Sequence, residues 1–148
     1  PVDMAVANFG GIRVPMPEGD VTLDDIRSMF PFVNKLVYVE LKGEDLLYLA
    51  GELSKKVQCV SGVTMVVKDH ELVSFLVGGK EVNPKKHYGV ATIDFLLDGG
   101  DRLFIGRNAV RLVETGAIIG NAMEQYIRRL AAEGKSIEYK TDGRVVIL

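Results

Sequence analysis

In the first half of the chain, apolar residues recur either at the spacing of a helix or in the short runs typical of strands. Apolar residues recur at helical spacing within Glu44–Lys56, which predicts a helix with one buried face. A shorter helix is expected over Leu23–Met29, because Thr22 can cap its start and Pro31 ends it. Gly78-Gly79 suits a two-residue hairpin turn. Short apolar runs predict the strands Val2–Ala7, Leu36–Leu41, Val63–Val67, Leu72–Val77 and Lys80–Val82.

The second half of the chain contains the most clearly amphipathic segment. An apolar stripe predicts a helix over Ala117–Ala132 that ends at Gly134. Tyr88–Thr92 is expected to be a strand, and Ile137–Tyr139 and Val145–Leu148 are expected to close the chain as strands. The predicted fold class is therefore mixed α/β (α+β): a single compact domain with a mixed sheet of short strands and two to three flanking helices.

Composition narrows the class of protein. The chain has 148 residues, of which 47% are apolar and 26% charged, as in a soluble domain with one core. A net charge of −2 gives no general attraction to a nucleic acid polymer or to an anionic membrane. No run approaches the ~20 apolar residues of a membrane span. The single Cys59 excludes an internal disulfide.

Three loop segments carry groups that could bind a ligand. They are Asn8–Arg13, Phe30–Asn34 and Asp94–Asp101. The candidate residues are a cation, two amides, two aromatic rings and a carboxylate, namely Arg13, Asn8, Asn34, Phe32, Phe95 and Asp101. These groups match a nucleotide, because guanidinium binds phosphate, carboxylate accepts from a ribose diol and rings stack on a base. Taken singly, each has a structural explanation: a core phenylalanine, a capping arginine or a turn aspartate.

In this order the segments resemble the C-terminal domain of the 5'-nucleotidases. The family pattern is Asn-x-Gly-Gly-Ile-Arg, then Pro-Phe-x-Asn, then Phe-Leu-x-x-Gly-Gly-Asp, and this chain contains all three. Asp142-Gly143-Arg144-Val145 also resembles the usual end of that domain. The resemblance implies that this chain recognises the nucleoside part of a nucleotide.

The resemblance also implies a role for each candidate residue by its position in the motifs. Phe32 and Phe95 would sandwich the base, and Asp101 would bind the ribose hydroxyls. Arg13 would reach the phosphate or ribose side, while Asn8 and Asn34 would contact the base or order the loop. Arg102, which follows Asp101, could pair with it or add a further cation to the site.

The catalytic half is expected to lie elsewhere. In the family an N-terminal metallophosphatase domain holds a divalent metal pair, such as Zn, Mn or Co, and hydrolyses the phosphate. That domain and the first helix of the C-terminal domain are expected to precede this chain, so we expect no cofactor, metal or catalytic residue within residues 1–148. His70 and His87 are interpreted as solvated surface residues, and Cys59 as a buried apolar residue.

Other functions remain open on the sequence. The chain could be a stand-alone nucleoside- or nucleotide-binding module, or a non-catalytic interaction or dimerisation domain. The resemblance to this family implies that the protein is periplasmic, secreted or attached to the cell surface. It could also form a homo-oligomer. The expected partners are a nucleoside or nucleotide and the N-terminal metallophosphatase domain.

Overall fold

The computed structural model describes residues 1–138 and 141–148. Its helices are α1 (Leu23–Met29), α2 (Gly43–Lys55) and α3 (Ile119–Ala132). Its strands are β1 (Met4–Ala7), β2 (Lys35–Lys42), β3 (Cys59–Ser61), β4 (Val63–Lys68), β5 (Glu71–Val77), β6 (Lys80–Glu81), β7 (His87–Ile93), β8 (Arg111–Ile118) and β9 (Val145–Ile147). The predicted α+β class is confirmed.

The strands form two mixed sheets rather than the one expected from the sequence. The first sheet has five strands in the order β3-β1-β7-β2-β8, and the second has four in the order β6-β5-β4-β9. β1 and β7 are parallel, as are β4 and β9, and the remaining pairs are antiparallel. Sequence pattern alone does not divide strands between sheets, because both sheets bury the same apolar alternation.

A single core joins the two sheets through α2. This helix packs against β2 and β7 of the first sheet and against β5 of the second. Its apolar face is almost completely buried, with Leu46 and Leu53 inaccessible to solvent. Val39 and Val90 from the first sheet and Met65 from the second belong to the same cluster. The helical periodicity of α2 therefore predicted its buried face correctly.

The start of α1 and two turns follow directly from local chemistry. Thr22 and Asp25 form a reciprocal capping box, with donor–acceptor distances of 3.2 and 2.8 Å, so α1 starts where the sequence predicted. Gly78 and Gly79 both adopt positive φ, at 57° and 80°, as a two-residue hairpin turn requires. Asp69 and His70 form the tip between β4 and β5 with φ of 52° and 63°.

The sequence interpretation was wrong at four elements. β3 and β8 were not predicted, and α3 begins at Ile119 instead of Ala117, because Ala117 and Ile118 belong to β8. β8 was missed because most of it is exposed and its apolar residues do not alternate cleanly. Ile137 and Glu138 are not in a strand, and Tyr139 lies outside the described residues.

Arg144 fastens the end of the chain to the first sheet. Its Nε and Nη2 donate to the Asp142 carboxylate at 2.9 and 2.7 Å, and its Nη1 donates to the Val60 carbonyl of β3 at 3.0 Å. Its own carbonyl accepts from Met65 of β4 at 2.7 Å. Hydrogen bonds from Arg144 lower the pKa of Asp142 to about 2.

Candidate functional site

The three candidate segments leave the first sheet at one edge. β1 and β7 are parallel neighbours, with Ala5 opposite Ala91, so both strands end at this edge. β2 is antiparallel to β7, with Leu36 opposite Ile93, so β2 begins there. The segments that emerge together are Asn8–Arg13, Phe30–Asn34 and Asp94–Asp101. Sheet topology thus brings together residues that are far apart in sequence.

The first segment is held against the end of α1. Residues Phe9–Gly11 form one 3-10 turn. The backbone N–H of Arg13 donates to the Met29 carbonyl at 2.9 Å, and Arg13 Nη1 donates to the Gly10 carbonyl at 3.1 Å. Asn8 is buried at the start of the turn. Arg13 is therefore fixed at its backbone while its guanidinium remains at the surface.

Phe32 lies beside Arg13 on the second segment. Its side chain is 46% exposed, and the Arg13 guanidinium carbon lies 5.4 Å from the ring centre, within cation–π range. Asn8, Phe32 and Asn34 line a small cavity of about 30 Å³. That volume admits water but no ring, since a cavity of roughly 150 Å³ is what accommodates benzene. A base must therefore contact Phe32 outside this cavity, either at the exposed face of the ring or in the larger cavity of about 140 Å³ that Phe32 lines beside α1.

Asn34 connects this segment to α3. Its carbonyl accepts from the backbone N–H of Ile119 at 2.9 Å, so the start of α3 lies at the same edge of the sheet. Its side chain is half-buried and faces the cavity it shares with Asn8. Asn8, Arg13, Phe32 and Asn34 consequently form one group.

Phe95 and Asp101 form a second group on the third segment. Phe95 lies in the 3-10 turn Asp94–Leu96 and is 45% exposed. A Cβ on Gly100 would overlap the Phe95 carbonyl oxygen and lie 3.0 Å from the ring carbon Cδ2, so only glycine permits this approach. Asp101 and Arg102 follow with φ of 51° and 61°, a left-handed conformation that non-glycine residues adopt mainly at constrained sites.

Lys56 is the partner of Asp101. Its Nζ lies 3.3 Å from Asp101 Oδ1. The sequence had offered Arg102 as the neighbour that could pair with Asp101, but among the described residues Arg102 makes no ion pair. Lys56 instead approaches Asp101 from the end of α2.

Gln58 is a further residue at this edge that sequence reasoning missed. Its side chain is only 2% exposed, and its Oε1 accepts from the backbone N–H of Phe9 at 2.9 Å. Pairing of Ala7 with Cys59 places it beneath the first loop. Its Nε2 has no acceptor among residues 1–138 and 141–148. Nothing in the sequence signals this contact, because it depends on how β3 pairs with β1.

Titratable side chains do not form a metal centre in the described part of the chain. No group of three His, Cys, Asp or Glu residues there is arranged to hold a metal ion. His70 and His87 are exposed, and His87 Nδ1 lies 3.9 Å from Glu40. Cys59 is partly buried, and desolvation raises the pKa of its thiol. Within the same residues, no helix is long and apolar enough to cross a membrane.

Comparison with known proteins identifies the family. The 5'-nucleotidase, C-terminal domain family matches residues 1–107. Protein UshA of Yersinia enterocolitica is 32% identical over 97% of this chain, and the 5'-nucleotidase of Vibrio cholerae is 29% identical over 84%. The chain spans 27% and 24% of those two relatives.

A solved structure supports the same assignment at the level of the fold. The crystal structure of the 5'-nucleotidase precursor from Thermus thermophilus superimposes with a TM-score of 0.88 at 24% identity. The match covers 99% of this chain and 32% of that protein. The chain belongs to the 5'-nucleotidase C-terminal domain family.

Proposed function

We propose that this chain is the nucleotide-recognition domain of a 5'-nucleotidase, a phosphoric monoester hydrolase of nucleotide catabolism. The supporting observation is the common sheet edge from which the three motif-bearing segments emerge. Two half-exposed phenyl rings, an exposed guanidinium and a carboxylate are presented there on a rigid scaffold. Binding groups are commonly placed in this way, on loops fixed by regular structure.

The base would bind between Phe32 and Phe95. Each stack needs ~3.5–4 Å, so the rings must lie about 7 Å apart in the complex. Stacking contributes ~1–3 kcal/mol per base and tolerates most bases. Because the Arg13 guanidinium packs over the Phe32 ring, it must move away before a base can stack on that face. By moving toward the phosphate of the nucleotide, the guanidinium would gain hydrogen bonds to its oxygens.

The sugar and phosphate would use the polar groups. Asp101 would accept hydrogen bonds from the ribose diol after exchanging its contact with Lys56. Arg13 would face the phosphate or ribose side, where its planar fork of donors suits an oxyanion. Asn8 and Asn34, which border the same small cavity, would contact the base or order the loop.

Hydrolysis is assigned to another domain. The proposed partner is an N-terminal metallophosphatase domain, whose divalent metal pair (such as Zn, Mn or Co) would polarise the phosphoryl group and activate water. This chain supplies recognition only and has no catalytic residue in the proposal. A periplasmic, secreted or cell-surface location follows from the same family resemblance.

We further propose that the segment preceding Pro1 includes the first helix of the domain and covers β8 and α3. No residue of α3 (Ile119–Ala132) is fully buried, although the helix is amphipathic. Tyr38 donates to the Pro1 carbonyl at 3.4 Å and pairs with Val113 of β8, so preceding residues would start beside this exposed face. In the isolated chain the same face would favour homo-oligomers.

Calorimetric titration with adenosine and AMP tests the nucleotide site. We expect binding in the millimolar range or tighter, and Phe32→Ala or Phe95→Ala should each weaken it by about fivefold or more, the loss of roughly 1 kcal/mol of stacking. Tyr126→Ala is the matched control, because Tyr126 is an equally exposed ring (46%) on α3. Absence of binding to both ligands, or equal losses in all three variants, would contradict the proposal.

Measuring metal-dependent turnover tests whether recognition and hydrolysis belong to separate domains. The purified chain should release no phosphate from AMP when Mn²⁺, Zn²⁺ or Co²⁺ is added, and activity should require the N-terminal domain. Sustained turnover by this chain would show that recognition and catalysis are not separate. Nucleotide binding by a protein that naturally lacks the N-terminal domain would favour the stand-alone module, whereas an interaction domain would bind neither ligand.

A further inference from the structure

A second cavity lies outside the proposed nucleotide site, between α2 and the loop of residues 102–108. Its volume is about 140 Å³, close to the roughly 150 Å³ that accommodates benzene. The floor is apolar and almost completely buried, formed by Leu41, Leu49, Leu103 and Ile105. None of the six proposed nucleotide-binding residues lines it. The cavity can therefore take one planar ring or an apolar group of similar size.

The two walls of this cavity carry opposite charge. Asp45, Tyr48 and Glu52 lie on one face of α2, since they are spaced by three and four residues. The facing loop contributes Arg102 and Arg107. A ligand in the cavity would thus meet carboxylates on one side and guanidinium groups on the other.

These charges do not neutralise each other across the cavity. Within the described residues no ion pair joins the two walls, and Glu52 is paired with Lys55 at 2.9 Å on its own helix. Arg107 packs over Phe104, with its guanidinium carbon 4.1 Å from the ring centre. Stacking of this kind leaves the edge donors of arginine free for an anion. On the opposite wall, Asp45 makes no ion pair in the same part of the chain.

The loop that carries the arginines has a constrained backbone. Arg102 and Asn108, at its two ends, adopt positive φ of 61° and 64°. Left-handed non-glycine residues cost stability and concentrate at ligand sites. Tyr48 and Phe104 also line the cavity, and both side chains are exposed.

We propose that this cavity binds a small zwitterion with an aromatic body, such as an α-amino acid with an aromatic side chain. The ring enters the apolar floor, the carboxylate meets Arg102 and Arg107, and the ammonium meets Asp45. A purely anionic or purely cationic ligand leaves one wall without a partner. Binding here is independent of the proposed nucleotide function.

Three probes with the same ring and different charges test the proposal on the complete chain. They are L-phenylalanine, 3-phenylpropanoate, which lacks the ammonium, and phenethylamine, which lacks the carboxylate. We expect L-phenylalanine to bind at millimolar concentration and at least about fivefold more tightly than either analogue, since each charge-assisted hydrogen bond contributes at least that factor. Backbone amide shifts in NMR titrations report both affinity and location.

Charge-neutral variants make the test specific. Arg107→Gln and Arg102→Gln should weaken L-phenylalanine and 3-phenylpropanoate by about fivefold and leave phenethylamine unchanged. Asp45→Asn should weaken L-phenylalanine and phenethylamine only. Arg128→Gln on α3 is the matched control, because this arginine is exposed and does not line the cavity. Thermal unfolding checks that each variant is folded.

The possible results separate cleanly. Charge-matched losses with shifts confined to α2 and residues 102–108 support the zwitterion site. Equal binding of all three probes would show a ring pocket without charge selection, and absence of L-phenylalanine binding at about 10 mM would show no site at all; either result overturns the proposal. Shifts centred on Phe32 and Phe95 would overturn it as well, because they would assign the ligand to the other site.

Discussion

Replacing Gln58 tests how the first loop of the site is held. The Gln58 amide orientation is fixed, because the Phe9 N–H can only donate and therefore faces Oε1. The remaining group, Nε2, is a donor without a protein acceptor in the described residues, on a side chain that is 2% exposed. Gln58→Met keeps the approximate length of the side chain and removes both polar atoms.

The expected change in the free energy of unfolding is small because two effects oppose each other. Losing the bond to Phe9 costs about 1 kcal/mol, and the partly buried N–H left behind adds to this cost. Removing the unpaired donor returns roughly 1–3 kcal/mol, the usual penalty for such a group. Gln58→Met should therefore change stability by less than about 1 kcal/mol while loosening the Asn8–Arg13 loop.

Gln58→Glu is the informative comparison. It retains an acceptor for Phe9 but places a carboxylate where one donor is available, so we expect a loss of at least about 2 kcal/mol at pH 7. Urea unfolding measures both variants, and hydrogen exchange at Phe9 reports the loop. A loss above about 2.5 kcal/mol in Gln58→Met would refute the reasoning, because it would mean that Nε2 is well satisfied in the folded protein.

Three further changes have defined outcomes. Thr22→Ala removes half of the capping box of α1 and should cost about 1 kcal/mol in urea unfolding, whereas Thr22→Ser should not. Asp142→Asn should lower the free energy of unfolding at pH 7, because it removes the carboxylate that Arg144 binds. The pKa of Asp142 in the folded protein lies near 2, below its unfolded value. The stability difference between variant and wild type should therefore shrink as the pH falls through about 4 and vanish below about 2. An unchanged difference at low pH would refute the role of Arg144. Lys56→Met should alter stability by less than about 0.5 kcal/mol, since this pair is exposed, and should not weaken adenosine binding, since it frees Asp101.

The sequence predicted correctly those helices whose capping residues or apolar periodicity lie in or next to the helix itself. The bounds of α1 were correct because Thr22 caps it and Pro31 stops it. The buried face of α2 was correct because its apolar period is strong. The sequence could not separate the end of β8 from α3, because Ile118 at the boundary offers no capping side chain.

Contacts between residues on distant strands could not be predicted from the sequence pattern. The motifs predicted that Asn8, Phe32 and Phe95 belong together, and sheet topology places their segments at one edge. The Lys56–Asp101 pair and the Gln58–Phe9 bond join residues 45 and 49 positions apart. Such contacts depend on strand pairing, which no local propensity encodes.

The hydrogen bonds of Arg144 make the domain sensitive to cleavage just before its last strand. Cleavage before Asp142 would strip β4 of its parallel neighbour and release the Val60 carbonyl in the same event, so both sheets would lose an anchor at once. A protease that removes the segment from Asp142 onward should therefore unfold the domain rather than only shorten it.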